Sequence, residues 1–532
     1  MYPQRAVLAG LCAAVVLAGC AGDSDPAADE NPDDGPPDSS SLVDDATFRF
    51  PLAFDPGELD PAVNLGMGRQ LQPFAYDFLV QSDGDGIVGN LANEWDASPE
   101  RVEFTIKEDV TCSDGSDVTP SVIAESFEFY RSGEAQQHLF PDVSEWEVDG
   151  DDSAGTVTFT FGEPVAFPVD SLAYVPVICG EGLEDRSLLE RETSGSGPYV
   201  LVESVPNDQY VFERRDDYTW GPGGATTAEA GLPATVELLV VPDPSTAVNM
   251  LLAGDLDGAG LPEAARERLG DDARALSVPS DLGQLMYNNA DGRVTADADV
   301  RRALTAAVDR EAMASVAKGE LTHNMPFPLT NPCPDPSNAD AIPAYDPEAA
   351  GQLLDDAGWE MGPDGVREKD GAPLTVESFT VDDFSAEFEA AATLATRAWR
   401  ELGVEVDSRS LTGSAALQTI VSGEWDVAPM SSLGSLHPGE LAGVVDGAAP
   451  PEGSNLARID NQEYRDLVGE AIRAESAEEG CAAWNAAERA LYTEANIIPV
   501  LVGNRYYAQN PNIEFDVNMA GVIPTSVRVH GE

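Results

Sequence analysis

The chain of 532 residues carries 95 acidic and 29 basic side chains, which gives a formal net charge of -66 at pH 7, and 42% of its residues are hydrophobic. This length exceeds what one hydrophobic core organises, so we expect two or more packed units. A surface this negative repels nucleic acid and anionic lipid, which excludes both as direct partners. The acidic residues are spread along the whole chain, and this favours solubility in a salty medium over a cation-binding role.

The first twenty residues have the pattern of an export signal. Arg5 precedes an apolar stretch, Ala6 to Leu17, that is too short to span a bilayer as a mature helix. The stretch ends in Leu17-Ala18-Gly19-Cys20, which resembles the bacterial lipobox. We therefore expect a lipoprotein signal peptide over 1–20, with two acyl chains on Cys20 as a stable anchor. The alternative is an ordinary cleaved signal with an incidental cysteine.

Residues 21–44 are acidic, rich in proline and almost free of large apolar side chains. Such a segment does not bury enough apolar surface to offset the entropy of ordering. We expect it to be a disordered acidic tether between the membrane and the folded part of the chain.

The folded part begins with short strands and tight turns. Thr47 to Leu52 alternates as a strand, and Val102, Phe104 and Ile106 alternate on one face of another. The segment Gly195 to Tyr199 reads Gly-Ser-Gly-Pro-Tyr and lacks the Gly-x-Ser-x-Gly order of a nucleophile elbow. A hydrolase is therefore not indicated there.

The stretch from Leu285 to Met313 predicts a strand, a turn and two helices. In the first helix, four apolar residues fall on one face, which we expect to be buried: Val300, Leu304, Ala307 and Val308. Arg301, Arg302 and Thr305 fall on the other side, which we expect to face solvent. Asp309 caps the second helix, which should turn Met313, Val316 and Ala317 inward.

Two later segments also predict helices. Between Tyr345 and Trp359, the pattern places Ala349, Leu353 and Ala357 on one buried face. A longer helix is predicted from Asn461 to Leu491, before the apolar strand Ile497 to Val502.

Catalytic and metal-binding motifs are missing from the sequence. The four histidines, His138, His323, His437 and His530, are far apart and none has a nucleophile or a metal ligand at a known spacing. Gly66-Met67-Gly68 lacks the third glycine of a dinucleotide loop, and no P-loop occurs. We predict that the protein is not an enzyme and has no cofactor or metal. The competing classes are a secreted hydrolase and an inert acidic surface protein, although no repeats typical of the latter are seen.

Several local motifs follow one another in a characteristic order. They are Tyr76-Asp77-Phe78-Leu79, then Leu91-Ala92 with Trp95, then Gly195 to Tyr199, then Val300-Arg301-Arg302-Ala303-Leu304 with Ala307 to Glu311, and Tyr345-Asp346-Pro347 with Leu353-Leu354 and Ala357-Gly358-Trp359. Together they closely resemble the bacterial extracellular solute-binding proteins of the peptide and nickel type, which are the receptors of dipeptide and oligopeptide importers. The resemblance covers about residues 45 to 515.

This resemblance implies a two-lobed α/β structure, the periplasmic-binding-protein type II fold, with an extra subdomain in the first lobe. Lobe I should comprise 45–285, with the inserted subdomain at about 75–200. Lobe II should comprise 286–497, and 498–532 should return to lobe I.

The implied function is that of a receptor for an ABC importer, monomeric and lipid-anchored on the extracytoplasmic face of the cell membrane. Its expected partners are a peptide or another small solute and the permease subunits with their ATPase. A peptide is the leading solute, and a sugar-containing or modified compound is the alternative.

The ligand should sit between the lobes, where two rigid units close upon it. The resemblance points to two loops as walls, Asn64 to Gln70 and Met430 to Ser435, with Trp220 and Tyr287 as weaker candidates or simply core residues. The individual candidates are Asn64, Gly66, Met67, Gly68, Trp220, Tyr287, Met430, Ser431, Ser432, Leu433, Gly434 and Ser435.

One position departs from the family pattern. Peptide receptors carry an aspartate that pairs with the peptide's α-amino group, whereas this chain has Gly434, Ser435 and Leu436 there. A buried ammonium without a carboxylate partner is costly. Either another acid, such as Glu440 or Asp446, pairs with the amine, or the ligand lacks a free amine.

Four cysteines remain after the signal, Cys112, Cys179, Cys333 and Cys481, and an even number in an exported chain favours two disulfides, with three possible connectivities. Metal ligation is disfavoured because no Cys-x-x-Cys occurs. Some oligopeptide-binding relatives have one bridge inside the second lobe at a similar separation. The resemblance thus implies Cys333 with Cys481, which leaves Cys112 with Cys179.

Overall fold

The computed structural model describes most of the chain beyond residue 41. The described residues are 42–63, 70–82, 86–131, 145–165, 167–270, 274–325, 331, 333–381, 386–431, 438–450, 453–474 and 476–531. The predicted signal peptide, the predicted lipidation site Cys20 and nearly all of the predicted tether fall outside them. Within the described residues, no helix is long and apolar enough to cross a membrane.

The strands are mostly short, apart from two of 13 residues each. In chain order they are β1 Thr47–Leu52, β2 Val80–Ser82, β3 Ile87–Gly89, β4 Ala92–Ser98, β5 Arg101–Ile106, β6 Trp146–Asp151, β7 Thr156–Phe161, β8 Tyr199–Val205, β9 Gln209–Arg214, β10 Thr235–Val240, β11 Gly258–Leu261, β12 Ala275–Tyr287, β13 Glu320–Leu321, β14 Glu360–Met361, β15 Arg367–Lys369, β16 Ala372–Pro373, β17 Thr375–Val381, β18 Glu405–Leu411, β19 Val427–Ser431, β20 Ile497–Gln509, β21 Ile513–Glu514, β22 Val517–Asn518, β23 Gly521–Val522 and β24 Arg528–Val529.

The helices are concentrated in the second half of the chain. They are α1 Gln72–Ala75, α2 Pro120–Arg131, α3 Pro168–Ser171, α4 Glu181–Glu184, α5 Pro244–Ala253, α6 Glu263–Arg266, α7 Ala298–Ala306, α8 Arg310–Val316, α9 Pro347–Asp356, α10 Ala386–Glu401, α11 Gly413–Ser422, α12 Pro438–Val445, α13 Gln462–Ile472 and α14 Ala477–Thr493.

Two large hydrophobic cores define the two lobes. The core of lobe I is built on a sheet of order β1-β10-β9-β8, with the insertion contributing a second sheet of order β4-β5-β7-β6. The C-terminal segment returns to this core through Phe515 and Val529. The core of lobe II collects helices α7 to α14 around strands β17 and β19. The two-lobed α/β fold is confirmed.

One seven-stranded sheet belongs to both lobes. Its order is β11-β20-β12-β19-β17-β18, with β13 added to β20. The free side of β20 carries β11 of lobe I near its end and β13 of lobe II nearer its start, while β12 carries β19 of lobe II. The pairing of β12 with β20 shifts register between Pro279 and Asp281 and again between Gly283 and Gln284. Such irregularities bend and twist a strand pair, which suits a connection between two bodies.

The predicted lobe boundaries at 285 and 498 fall inside these two long strands. Leu285 already packs in the core of lobe II, and so do Ile498, Val500 and Leu501. The boundaries at 285 and 498 stay predictions.

Both disulfides are present as predicted. Cys112 is bonded to Cys179 inside the insertion of lobe I, and Cys333 to Cys481 inside lobe II. Each bridge stays within one lobe and leaves the crossing strands unconstrained.

Two predicted exposures in the first helical pair are wrong. The Arg301 guanidinium is buried and donates to the carbonyl oxygens of Thr295, Ala296 and Glu494, while the Thr305 hydroxyl lies 3.0 Å from the Tyr287 hydroxyl. Conversely, Val316 is exposed rather than inward. These polar side chains are buried because distant parts of the chain supply their partners.

Two other helix predictions need correction. The buried face of α9 is formed by Ala350 and Leu354, one position later than predicted, because Asp346 caps the helix and fixes its phase. The single helix predicted over 461–491 is two helices, α13 and α14, since Ser476 caps a new helix by accepting from the backbone of Glu479.

Candidate functional site

The predicted ligand walls lie largely outside the described residues. This holds for Asn64, Gly66, Met67 and Gly68 in lobe I and for Ser432, Leu433, Gly434 and Ser435 in lobe II, and of Ser431 only the backbone is described. The residues that flank each predicted wall are described. These flanks, together with the contacts between the lobes, form the candidate site.

Before the lobe I wall, the chain is fixed by a buried carboxylate. Asp60 is 1% exposed, accepts from the backbone N–H of Ala62, and receives a 2.6 Å bond from Nε of Arg186. The Arg186 guanidinium in turn lies 4.5 Å from the centre of the Phe129 ring. The wall thus begins at a point tied to the inserted subdomain.

After the same wall, a second buried carboxylate fixes the chain. Asp77 accepts from the Ser196 hydroxyl at 2.9 Å, the Tyr218 hydroxyl at 2.9 Å and the Trp220 indole at 2.8 Å. Burial raises the pKa of Asp77, and these three hydrogen bonds oppose that rise by stabilising the charged form. Lys107 is the nearby cation, with its Nζ 2.7 Å from the Trp220 carbonyl oxygen.

The Gly-Ser-Gly-Pro-Tyr turn brings Ser196 to this carboxylate. Gly197 donates its N–H to the Ala75 carbonyl oxygen at 3.0 Å, and a Cβ atom on Gly197 would lie 2.4 Å from the Ala75 carbonyl carbon. Only glycine permits so close an approach. This turn therefore serves the positioning of α1 and the wall before it.

Trp220 and Tyr287, the weaker ligand candidates, are both buried. Trp220 is 6% exposed and its indole is used by Asp77, while Tyr287 is 0% exposed and packs in the core of lobe II. In this conformation neither ring offers a surface to a solute. The alternative in which both are core residues fits these positions better.

The lobe II wall leaves the shared sheet at the end of β19. Asp426, just before this strand, is paired with Arg293 at 2.8 Å and accepts from the backbone of Glu377. Met430 then adopts φ +59°, a backbone conformation that non-glycine residues rarely use and that is frequent at functional sites. The end of the Met430 side chain packs against Gly283 at the bend of β12. A Cβ atom on Gly283 would lie 3.0 Å from the terminal methyl carbon of Met430.

Asp446 and Glu440 were predicted as alternative partners for the amine of a peptide, and the structure describes the side chain of Asp446 alone. Asp446 is engaged in an ion pair with Arg465 at 2.9 Å. The side chain of Glu440 is outside the described part of the molecule. Asp446 would therefore have to leave Arg465 in order to bind a ligand.

An aromatic contact and an ion pair between described side chains join the lobes. The rings of Phe167 in the insertion and Trp484 on α14 have centroids 5.8 Å apart, and Phe167 packs against the core of lobe II. Lys318 of lobe II and Glu267 of lobe I form an ion pair at 2.7 Å. The sequence did not predict these contacts, because the local pattern around the four side chains is ordinary. The position of Phe167 directly before Pro168 is a weak signal of a turn there.

The face of α14 that carries Trp484 also carries Glu488, which belongs to a buried polar network. Glu488 accepts from the backbone N–H of Met325, the Asn338 amide and the Tyr492 hydroxyl. Burial raises the pKa of Glu488 to about 7, and the hydrogen bonds oppose that rise. Spacing of four residues on a helix, from Trp484 to Glu488 and on to Tyr492, was the available signal.

Among the described residues, no group of three or more histidine, cysteine, aspartate or glutamate side chains is placed to hold a metal ion. The polar groups of the candidate site are instead held in hydrogen bonds and ion pairs with other parts of the protein.

The chain is similar to known proteins over most of its length. Residues 86–440 match the family model described as bacterial extracellular solute-binding proteins, family 5. Protein XP55 of Streptomyces lividans is 30% identical over 337 residues, which is 60% of this chain and 58% of that protein. A probable D,D-dipeptide-binding periplasmic protein of Escherichia coli is 26% identical over 71% of this chain and 72% of its own.

Solved structures share the fold. A substrate-binding protein from Microbacterium hydrocarbonoxydans, crystallised with 4-hydroxybenzoate hydrazide, superposes with a TM-score of 0.75 at 26% identity. The superposition covers 91% of this chain and 100% of that protein. The similarity thus extends over both lobes and the crossing strands.

Proposed function

Because the chain belongs to the bacterial extracellular solute-binding proteins, family 5, we propose that it is the receptor of an ABC importer whose cargo is a peptide. The observation that carries this proposal is the seven-stranded sheet shared by both lobes, in which only β12 and β20 cross between them. Two bodies joined in this way can close on a solute by bending at the irregular pairs of those strands.

The proposal extends to the surroundings of the receptor. The signal pattern that ends at Cys20 supports a lipid anchor on the extracytoplasmic face. A membrane permease with its ATPase would then receive the solute. Closure is driven by the higher affinity of the solute for the closed form.

Peptide cargo is supported by the relative named as a probable D,D-dipeptide-binding protein. A bound peptide would add backbone hydrogen bonds in the cleft and leave its side chains in roomy pockets. The walls 64–70 and 430–435 are the proposed contact regions.

A non-peptide solute is the second candidate. It is favoured by Gly434, Ser435 and Leu436 at the position where peptide receptors have an aspartate, and by the ion pair that occupies Asp446. The Microbacterium relative in complex with an aromatic hydrazide supports the same class.

Native mass spectrometry of the protein lacking residues 1–20 distinguishes the two. Release of a heterogeneous set of peptide masses on denaturation is the expected result. A single non-peptide mass would keep the receptor function and replace the cargo. A protein that carries nothing and retains no peptide or other solute would contradict the receptor function.

A further inference from the structure

The Phe167 ring turns away from its own lobe. Val165 and Val169 on either side of it are buried in the core of lobe I, whereas Phe167 packs against the core of lobe II. Its ring centroid lies 5.8 Å from that of Trp484, with 36° between the ring planes. Phe167 also adopts φ +51°, a left-handed backbone conformation that is rare for a bulky side chain. Such strain persists where other contacts offset it, and the contact with lobe II is one of these.

Trp484 is a rigid partner for this ring. It is 5% exposed and belongs to the core of lobe II. Its helix, α14, is tied to the rest of that lobe by the disulfide between Cys481 and Cys333 and by the hydrogen bonds of Glu488. A ring held in this way moves with lobe II as one body. The aromatic contact is therefore lost when the insertion and lobe II move apart.

The ion pair between the lobes lies on the opposite face of the shared sheet. Successive residues of a strand point to opposite faces, and Tyr507 of β20 packs in the core of lobe I. On the other face of β20, the Arg266 guanidinium lies 4.9 Å from the centre of the Tyr506 ring. Glu267 directly follows Arg266 and is paired with Lys318 of lobe II. The ion pair is thus on the side of β20 that faces away from the core of lobe I.

The crossing strands β12 and β20 therefore run between two contacts that respond oppositely to bending. Bending toward the core side of the sheet brings the insertion and lobe II together and parts the ion pair, and bending the other way does the reverse. The side chains of Lys318 and Glu267 are 32% and 54% exposed, so solvent and salt weaken their attraction. The Trp484 ring is desolvated, and an aromatic pair adds to the gain from burial. The aromatic contact is the stronger of the two.

We propose that Phe167 and Trp484 form a latch that holds the lobes together on the side of the insertion before any solute binds, weakly opposed by the ion pair of Lys318 with Glu267. The inference rests on the proposed receptor function, because closure is the step that the latch favours. It goes beyond that function by assigning the balance of open and closed protein to named side chains. A solute that binds the closed form gains apparent affinity as the closed fraction rises. Phe167 is thus a positioning residue.

The test compares the wild type with three variants, all lacking residues 1–20, which lie outside the compact unit formed by 42–532. Phe167→Ala removes the latch, and Glu267→Gln removes the ion pair. Tyr345→Ala is the matched control, because it removes a 56% exposed aromatic ring within lobe II. Small-angle X-ray scattering gives the radius of gyration after solutes are removed by unfolding and refolding with the disulfides intact. Native mass spectrometry gives the fraction of each protein, as purified, that still carries cargo during dialysis.

Solute-free Phe167→Ala is expected to have a larger radius of gyration than the wild type. Tyr345→Ala should match the wild type, and the radius of Glu267→Gln should be equal or smaller. Phe167→Ala should also lose its cargo at least about threefold faster than the wild type, given the usual size of aromatic pair energies. A merely structural phenylalanine would lower the melting temperature and leave the radius of gyration unchanged.

An unchanged radius of gyration in folded Phe167→Ala overturns the latch, whatever the cargo is. An increase in Glu267→Gln as large as that in Phe167→Ala overturns it as well, because the two contacts would then act in the same direction. If Phe167→Ala does not fold, Phe167→Leu takes its place with the same expectations. A wild type that carries no solute contradicts the receptor function, and the radii of the solute-free proteins then decide on the latch.

Discussion

At the scale of single residues, hydrogen bonds between buried polar side chains determine which side chains are still available to bind a ligand. Trp220 illustrates this, because its indole N–H is used by Asp77 and its ring is almost fully covered. A ligand-contacting tryptophan would keep an exposed face. The role of Trp220 is therefore to hold the chain around Asp77.

Trp220→Phe tests this role. The variant replaces the indole by a smaller phenyl ring and removes the hydrogen bond to a charged acceptor, so the free energy of unfolding should fall by at least about 1.5–3 kcal/mol. Affinity for the solute released from the wild type should stay within twofold, as measured by calorimetry. Trp359→Phe is the control, since the Trp359 indole makes no hydrogen bond within the described residues. A large loss of affinity in Trp220→Phe with unchanged stability would restore Trp220 as a ligand contact.

Glu488 predicts a pH dependence of stability. Its pKa is raised from 4.5 to about 7 in the folded protein, so the folded state binds this proton more tightly than the unfolded state. The stabilising contribution is full below about pH 4.5 and is lost as pH rises through 7. For this one group the loss amounts to about 3 kcal/mol at most.

Urea unfolding of Glu488→Gln at pH 5.5 and pH 8.5 measures the effect. The variant stays neutral, so its stability should decline less over this interval than that of the wild type. Glu470→Gln, at an exposed position on the neighbouring helix, should decline as the wild type does. An identical decline in the wild type and Glu488→Gln would show that Glu488 does not titrate in this range.

At the scale of elements, hydrophobic spacing predicted where helices and strands occur. It failed to predict the burial of polar side chains whose hydrogen-bond acceptors are backbone carbonyls far away in the sequence. The pair α7 and α8 has the predicted caps and apolar positions. Arg301 was expected outside, but carbonyl oxygens that include that of Glu494 accept from it. A partner almost two hundred residues away leaves no mark on local periodicity.

The turn at Gly197 predicts a sharp local sensitivity. A methyl group there would collide with the Ala75 backbone, so Gly197→Ala must displace either the turn or α1. We expect the free energy of unfolding to fall by about 3 kcal/mol, the upper part of the range for overpacked sites. Gly86→Ala, where a Cβ would meet nothing within 4 Å, serves as the control and should change stability by less than about 1 kcal/mol. Equal effects of the two changes would contradict the close approach.

At the scale of the whole molecule, the order of motifs predicted the two-lobed fold and both disulfides, because these follow from features shared along the entire chain. The candidate site was less predictable. The contact of Phe167 with Trp484 depends on how the insertion meets lobe II. Charge compensation is visible only when the neighbours of each carboxylate are known, and sequence spacing does not report them.

The central claim is that the lobes close on a solute by bending at β12 and β20. Small-angle X-ray scattering of the protein lacking residues 1–20 tests it most directly. One sample is stripped of its solute by unfolding and refolding, and the other is the same protein after the released solute has been added back. We predict a smaller radius of gyration with solute, and no change with an equal amount of extract from a mock purification. An identical scattering profile with and without saturating solute would contradict closure.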